Sequence, residues 1–81
     1  MTDAQIFEQL KVILVETFEI DPAGIMPSAN LFEDLDLDSI DAVDLAIKLQ
    51  EITNKRIKPQ EFKAIRTVGD VVAAVRRLLA T

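Results

Sequence analysis

Cysteine, histidine, tryptophan and tyrosine are all absent from this 81-residue chain. Without thiols there is no disulfide, no cysteine nucleophile and no Cys/His zinc site, and without imidazole there is no histidine acid–base catalysis. Glycine and proline are scarce, at two and three residues, so the turns they favour are few. No apolar run approaches the ~20 residues that cross a bilayer, and no secretory signal opens the sequence. Bases are outnumbered, nine against fourteen acids, and the formal charge of −5 argues against a nucleic-acid footprint. What is present is 49% hydrophobic and 28% charged residues, the composition of a folded chain. The length predicts one domain, residues 1–81, expected to be monomeric, cytoplasmic and not inserted in a membrane.

Charge is divided along the chain. Residues 1–44 hold eleven acids and the single base Lys11, whereas residues 45–81 hold eight bases and three acids. The densest acidic stretch, Glu33 to Asp44, has six carboxylates and no base. Such a run is ordinarily a solvated surface, but here it surrounds a helix start that carries a serine.

Hydrophobic spacing predicts helices throughout. Ile6, Leu10, Ile13, Leu14 and Phe18 recur at three- and four-residue steps over about Asp3 to Glu19, with Phe7 and Val12 widening the stripe. Asp3 is the expected N-cap and Asp21-Pro22-Ala23-Gly24 the expected stop. A long loop from about Ile20 to Leu37 carries loop-forming Pro22, Gly24, Pro27, Ser28 and Asn30, yet also Ile25, Met26, Leu31, Phe32, Leu35 and Leu37. A loop this apolar is expected to pack on the core, with Phe32 and Leu35 as anchors. Asp38 is the expected N-cap of a second helix, with Asp41 in its first turn. On that helix Ile40, Val43 and Ile47 form one apolar row and Leu45, Leu49 and Ile52 another, with Ala42 and Ala46 between. Pro59 suits the start of a short helix over Gln60 to Ile65, with Phe62 and Ile65 inward. Thr67-x-x-Asp70 has the form of a capping box before Val68, Val71, Val72, Val75, Leu78 and Leu79. The fold class is therefore all-α: a four-helix up–down bundle, three main helices and one short, with a long structured loop between helices one and two.

Ser39 is the residue best placed for chemistry. It follows the loop directly, and its hydroxyl is expected to face solvent at a helix N-terminus, where free N–H groups and the dipole favour phosphate. A helix-start serine is also a commonplace structural residue, and position alone leaves both readings open. Other constellations fail. Asp34-x-Asp36-x-Asp38 imitates the opening of a calcium loop, but its sixth position is Ser39 rather than Gly and its twelfth is Leu45 rather than Glu, so no metal site is expected. Asp38 and Asp41 fit a helix cap better than an acid–base pair, and no neighbouring residue activates Ser39 as a nucleophile, so no enzyme is expected.

The stretch Leu35-Asp36-Leu37-Asp38-Ser39-Ile40-Asp41-Ala42-Val43-Asp44-Leu45 closely resembles the attachment motif of acyl carrier proteins. Phe18-Glu19-Ile20-Asp21-Pro22 resembles that family's end of helix one, and Leu31-Phe32-Glu33-Asp34-Leu35 its loop before the serine. Ile57 and Thr67-Val68-Gly69-Asp70 fall where it enters helices three and four. The resemblance implies that a phosphopantetheinyl transferase moves 4′-phosphopantetheine from coenzyme A to Ser39, with Mg²⁺, and that the arm's thiol then carries acyl groups as thioesters. The partners implied are that transferase and the synthases and acyltransferases of fatty-acid, lipid or polyketide synthesis. Asp38, Asp41, Asp44, Ile40, Val43, Ile47, Lys48, Lys55 and Arg56 are the expected partner-binding residues. Ile40, Ala42, Val43, Ala46, Ile47, Leu49, Phe32, Ile57, Ile65 and Val68 are candidates for a wall that shelters the acyl chain, and equally for plain core.

Two departures from the family pattern stand out. Asp36 occupies the place of a usual Gly, and Lys48, Lys55 and Arg56 stand where acids usually continue helix two. The second departure makes a specialised carrier the expectation, rather than a housekeeping one. A polyketide or aminoacyl load, or a helical interaction domain with no prosthetic group, are the alternatives.

Overall fold

The first helix begins one residue earlier than its acids suggest. In the computed structural model, which describes residues 2–80 apart from the side chains of Pro59 and Glu61, Thr2 is the N-cap of α1 (Asp3–Phe18). The Thr2 hydroxyl accepts from the Gln5 N–H at 3.2 Å, and the Gln5 amide oxygen accepts from the Thr2 N–H at 2.9 Å. Asp3 does not cap because the residue three beyond it is Ile6, which cannot reciprocate. Its carboxylate lies instead in the first turn, 2.9 Å from the Arg76 guanidinium.

Helix α1 also stops before the proline expected to stop it. Glu19 takes the left-handed conformation at φ 56°, and both its N–H and that of Ile20 turn back to the Leu14 carbonyl. Asp21 then caps a single 3-10 turn, Pro22–Gly24, by accepting from the Ala23 N–H at 2.9 Å.

Three further helices follow: α2 (Ser39–Thr53), α3 (Pro59–Lys63) and α4 (Val68–Ala80). Thr67 and Asp70 form the anticipated box, each side chain accepting from the other's backbone N–H at 3.1 Å. Ile6, Leu10 and Leu14 of α1 meet Leu45 and Leu49 of α2 and Val68, Val71, Val72 and Val75 of α4 in one buried core. Val12 lies outside the stripe, 51% exposed. No strand forms among the described residues; a single backbone bridge joins Asn30 to Thr67.

The long loop packs down as expected. It buries Ile25, Ala29, Leu31, Leu35 and Leu37, though Met26 stays largely exposed. Its backbone is fastened to the start of α4: Leu31 N–H donates to Arg66 at 2.8 Å, Val68 N–H to Ala29 at 3.0 Å, and Gly69 N–H to Pro27 at 2.9 Å. A side chain on Gly69 would place its Cβ 3.0 Å from the Pro27 carbonyl oxygen, so the close approach needs glycine. Asn30 organises the turn within the loop, its amide oxygen accepting from both Phe32 and Glu33 N–H at 2.9 Å.

Candidate functional site

The turn into α2 sets the position of Ser39. Asp38 takes extended angles and its carboxylate accepts from the Asp41 N–H at 2.9 Å. The Asp41 carboxylate accepts in return from the Asp38 N–H at 3.3 Å. This reciprocal box accounts for both carboxylates as helix caps. Two residues upstream, Asp36 adopts φ 57°. Asp is among the few residues besides glycine that tolerate such a left-handed turn. Ser39 emerges as the first residue of α2, exposed to solvent.

Ser39 also lines a groove of about 530 Å³. One wall is α2, contributing Ala42, Val43, Ala46, Ile47 and Gln50 beyond Ser39. The opposite wall is Ile57, Phe62, Lys63, Ile65 and Arg66, and Phe32 closes the loop side. Ser39 to Gln50 spans about 16 Å of helix, which sets the length of the trough. Ala42 and Ala46 leave its floor open, as small residues beside a helix do. Seven wall candidates from the sequence are thus brought together: Phe32, Ala42, Val43, Ala46, Ile47, Ile57 and Ile65. Three are not. Leu49 and Val68 belong to the core, and Ile40 faces solvent at 72% exposure. Phe32 is no loop anchor, being 39% exposed.

Gln50, Phe62, Lys63 and Arg66 line the groove without having been singled out by the sequence as wall residues. Helical periodicity cannot orient a five-residue helix or the turn after it, so no sequence signal marks Lys63 or Arg66. Gln50 carried a signal only in retrospect: its amide oxygen accepts from the Ile57 N–H at 3.2 Å, a contact across seven residues.

The expected partner-binding residues divide by direction. Val43 and Ile47 line the groove and remain exposed at its lip, at 60% and 46%. Asp41 is half-buried and faces the other way, into a depression shared with Glu19, Asp21, Asp34 and Asp36. Asp38, Asp44, Lys48, Lys55 and Arg56 are exposed. Among the described residues no group of three carboxylates is close enough to hold a metal ion. One carboxyl is perturbed. Backbone donation by Thr67, and then by Arg66, holds Asp70 below its ordinary value of 3.8.

The site is therefore an exposed serine hydroxyl at the edge of an apolar trough. The family model for the phosphopantetheine attachment site matches residues 8–75. Acyl carrier protein 2 of Ralstonia nicotianae is 65% identical over 80 residues, covering 99% of each chain. An acyl carrier protein of Lactobacillus acidophilus is 34% identical over 76 residues, covering 94% of this chain and 95% of its own. The crystal structure of an acyl carrier protein from Thermotoga maritima superposes with a TM-score of 0.85 at 26% identity, covering 96% of this chain and 91% of the other. The chain belongs to the acyl carrier protein family. It is a carrier and not an enzyme, and its prosthetic group is covalently attached 4′-phosphopantetheine. Family membership brings with it a phosphopantetheinyl transferase and acyl-handling enzymes as partners. None of the described helices is long and apolar enough to cross a membrane.

Proposed function

We propose that Ser39 is the attachment residue, and that the protein is a monomeric cytoplasmic carrier whose acyl intermediates, of fatty-acid or related synthesis, rest in the groove between α2 and α3. The observation that carries this reading is the coincidence of an exposed serine hydroxyl at the first residue of α2 with the mouth of an apolar trough. The arm fits these residues: a phosphodiester at Ser39 sits at a helix N-terminus, and an acyl chain finds Ala42, Val43, Ala46, Ile47, Phe62 and Ile65 within the same groove. When bound, the arm supplies the thiol that holds the acyl group as a thioester. Ser39 has no base of its own, so its proton is taken by the transferase, and the role of this chain is to hold the hydroxyl out on a capped helix.

The test is intact mass after incubation with coenzyme A, Mg²⁺ and a broad-specificity transferase. Wild type gains one arm, and Ser39→Ala gains none. Stability changes by no more than about 0.5 kcal/mol, as expected for an exposed residue away from the core. A modified Ser39→Ala protein, or a wild type that gains nothing, would remove Ser39 from this role.

Lys48, Lys55 and Arg56 support a further part of the reading. They place exposed cations along and beyond α2, whose start is acidic. We infer a dedicated partner with a docking face of mixed charge, rather than the uniformly basic face that suits a wholly acidic carrier.

A further inference from the structure

Arg66 lines the same groove as Ser39, and the backbone ties its segment to the one that leads into the serine. The Leu31 N–H donates to the Arg66 carbonyl at 2.8 Å, and the Leu37 N–H donates to the Leu31 carbonyl at 3.0 Å. Leu37 is two residues before Ser39, so two successive backbone bonds join the segment that bears the arginine to the segment that bears the serine. Arg66 and Lys63 are the cationic side chains of the groove, and both stand on the wall opposite Ser39. Neither is held in an ion pair among the described residues, where the one salt bridge joins Arg76 to Asp3. Asp70, the carboxylate nearest Arg66 in the chain, directs its Oδ2 to the backbone N–H groups of Arg66 and Thr67 at 3.1 Å. The Arg66 charge is the smallest influence on it. Around Ser39 the neighbouring charge is of the other sign, from Asp36, Asp38 and Asp41.

We propose that Arg66, assisted by Lys63, is a positioning residue for the arm. Resting on the reading that Ser39 carries it, the guanidinium pairs with the arm's phosphodiester and turns the arm inward across the groove. A phosphodiester is anionic at any working pH, and a guanidinium meets its oxygens with two parallel N–H donors, whereas the Lys63 ammonium acts as a point charge. Asp36 and Asp38, on the α2 side, repel the same phosphate and counter the pull of the helix N-terminus on it. Attraction from one wall and repulsion from the other favour an arm folded toward α3, and the acyl chain then lies along the apolar floor rather than in solvent.

The proteins to compare are wild type, Arg66→Gln, Arg66→Lys, and the Arg66→Gln/Lys63→Gln double variant, each loaded with an octanoyl arm. Loading and its site are established first by intact and peptide mass. The readouts are the phosphorus-31 shift of the phosphodiester and the rate at which hydroxylamine cleaves the thioester. Arg66→Gln is expected to move the resonance and to speed cleavage roughly two- to fivefold, the range an exposed ion pair supports. Arg66→Lys should recover part of the protection. High salt should expose the wild-type thioester to a similar degree, and the melting temperature of the unloaded protein should not change with any of the three substitutions. An identical resonance and cleavage rate in loaded wild type and the double variant would overturn the proposal and leave Ser39 as the attachment residue. A wild type that takes no arm, or takes it elsewhere, overturns the reading beneath the proposal as well, and that failure is seen at the mass step.

Discussion

Among the described residues three take left-handed backbone angles, none of them glycine, and each ends or turns an element: Glu19 after α1, Asp36 before α2 and Asn54 after α2. Asn suits that conformation best, Asp tolerates it, and Glu gains nothing from it. Asp36 is the informative case, because the turn it makes delivers Asp38 to its capping position. Asp36→Gly relieves the Cβ crowding and removes one carboxylate from a run of six between Glu33 and Asp44. The expected outcome is a gain of roughly 0.5–1 kcal/mol in urea unfolding, partly offset by the greater freedom of glycine in the unfolded chain. A loss would mean that the Asp36 side chain itself holds the turn. Asp70 makes the other residue-scale prediction. Its folded pKa is depressed, so its contribution to stability is complete above the unfolded value near 3.8 and is lost as pH falls through the lower folded value. Asp70→Asn should therefore flatten the acid limb of the stability profile below the unfolded value near 3.8, measured by urea titration at each pH.

At the scale of elements, most of the fold was legible. The apolar spacing of α1, α2 and α4 and the two boxes at Asp38–Asp41 and Thr67–Asp70 are local signals, and local signals survive folding. The errors were local too. Asp3 is a favoured N-cap residue by type, but only Thr2 has a reciprocating partner in Gln5. Leu49 and Val68 were drawn into the groove wall because a one-dimensional pattern cannot say which side of a helix meets a cavity and which meets the core. The motif singles out Ser39, and the structure places it exposed at the first residue of α2. Lys63 and Arg66 were not legible, because the loop's hydrogen bonds to residues 66–69 set their place, and those bonds link positions more than thirty residues apart. The same fastening yields a test. Alanine is the better helix former by about 1 kcal/mol, yet Gly69→Ala should lower stability by about 1 kcal/mol. The added Cβ meets the oxygen that accepts the residue's own N–H. A higher melting temperature would show that the loop yields at no cost.

Over the whole molecule, the charge asymmetry of the sequence is hardly consumed in folding. The single ion pair among the described residues, Asp3 with Arg76, has both side chains more than half exposed and stabilises little. The long dimension is 32 Å, about three screening lengths at ordinary ionic strength. Lys48 lies one turn from Asp44, within a screening length, whereas Lys55 and Arg56 follow the end of α2, so a partner meets a gradation from acidic to basic along the helix. Rim charges set association rate more than depth of binding. For the proposed dedicated partner, reversing Lys48, Lys55 and Arg56 together to Glu should slow turnover. With housekeeping elongation enzymes the same triple variant should outpace wild type. Elongation rates of the loaded proteins decide, and a wild type that already matches a wholly acidic carrier would end the idea of a dedicated partner.

The two walls of the groove are unlike as mechanical parts. One is a fifteen-residue helix capped at its start and buried along its length through Leu45 and Leu49. The other is the five-residue α3. Beyond its C-terminal end the chain is stitched to the loop at residues 66–69. Before its start, the described tie to α2 is the Gln50 amide on Ile57. The groove thus has one long, capped wall and one short wall. On the reading that the load rests in this groove, a bulkier one is expected to displace the short α3 before the long, capped α2, leaving Ser39 and the acidic turn in place. A partner that docks on the start of α2 would then meet the same face whatever is carried, with the load expected to register at α3.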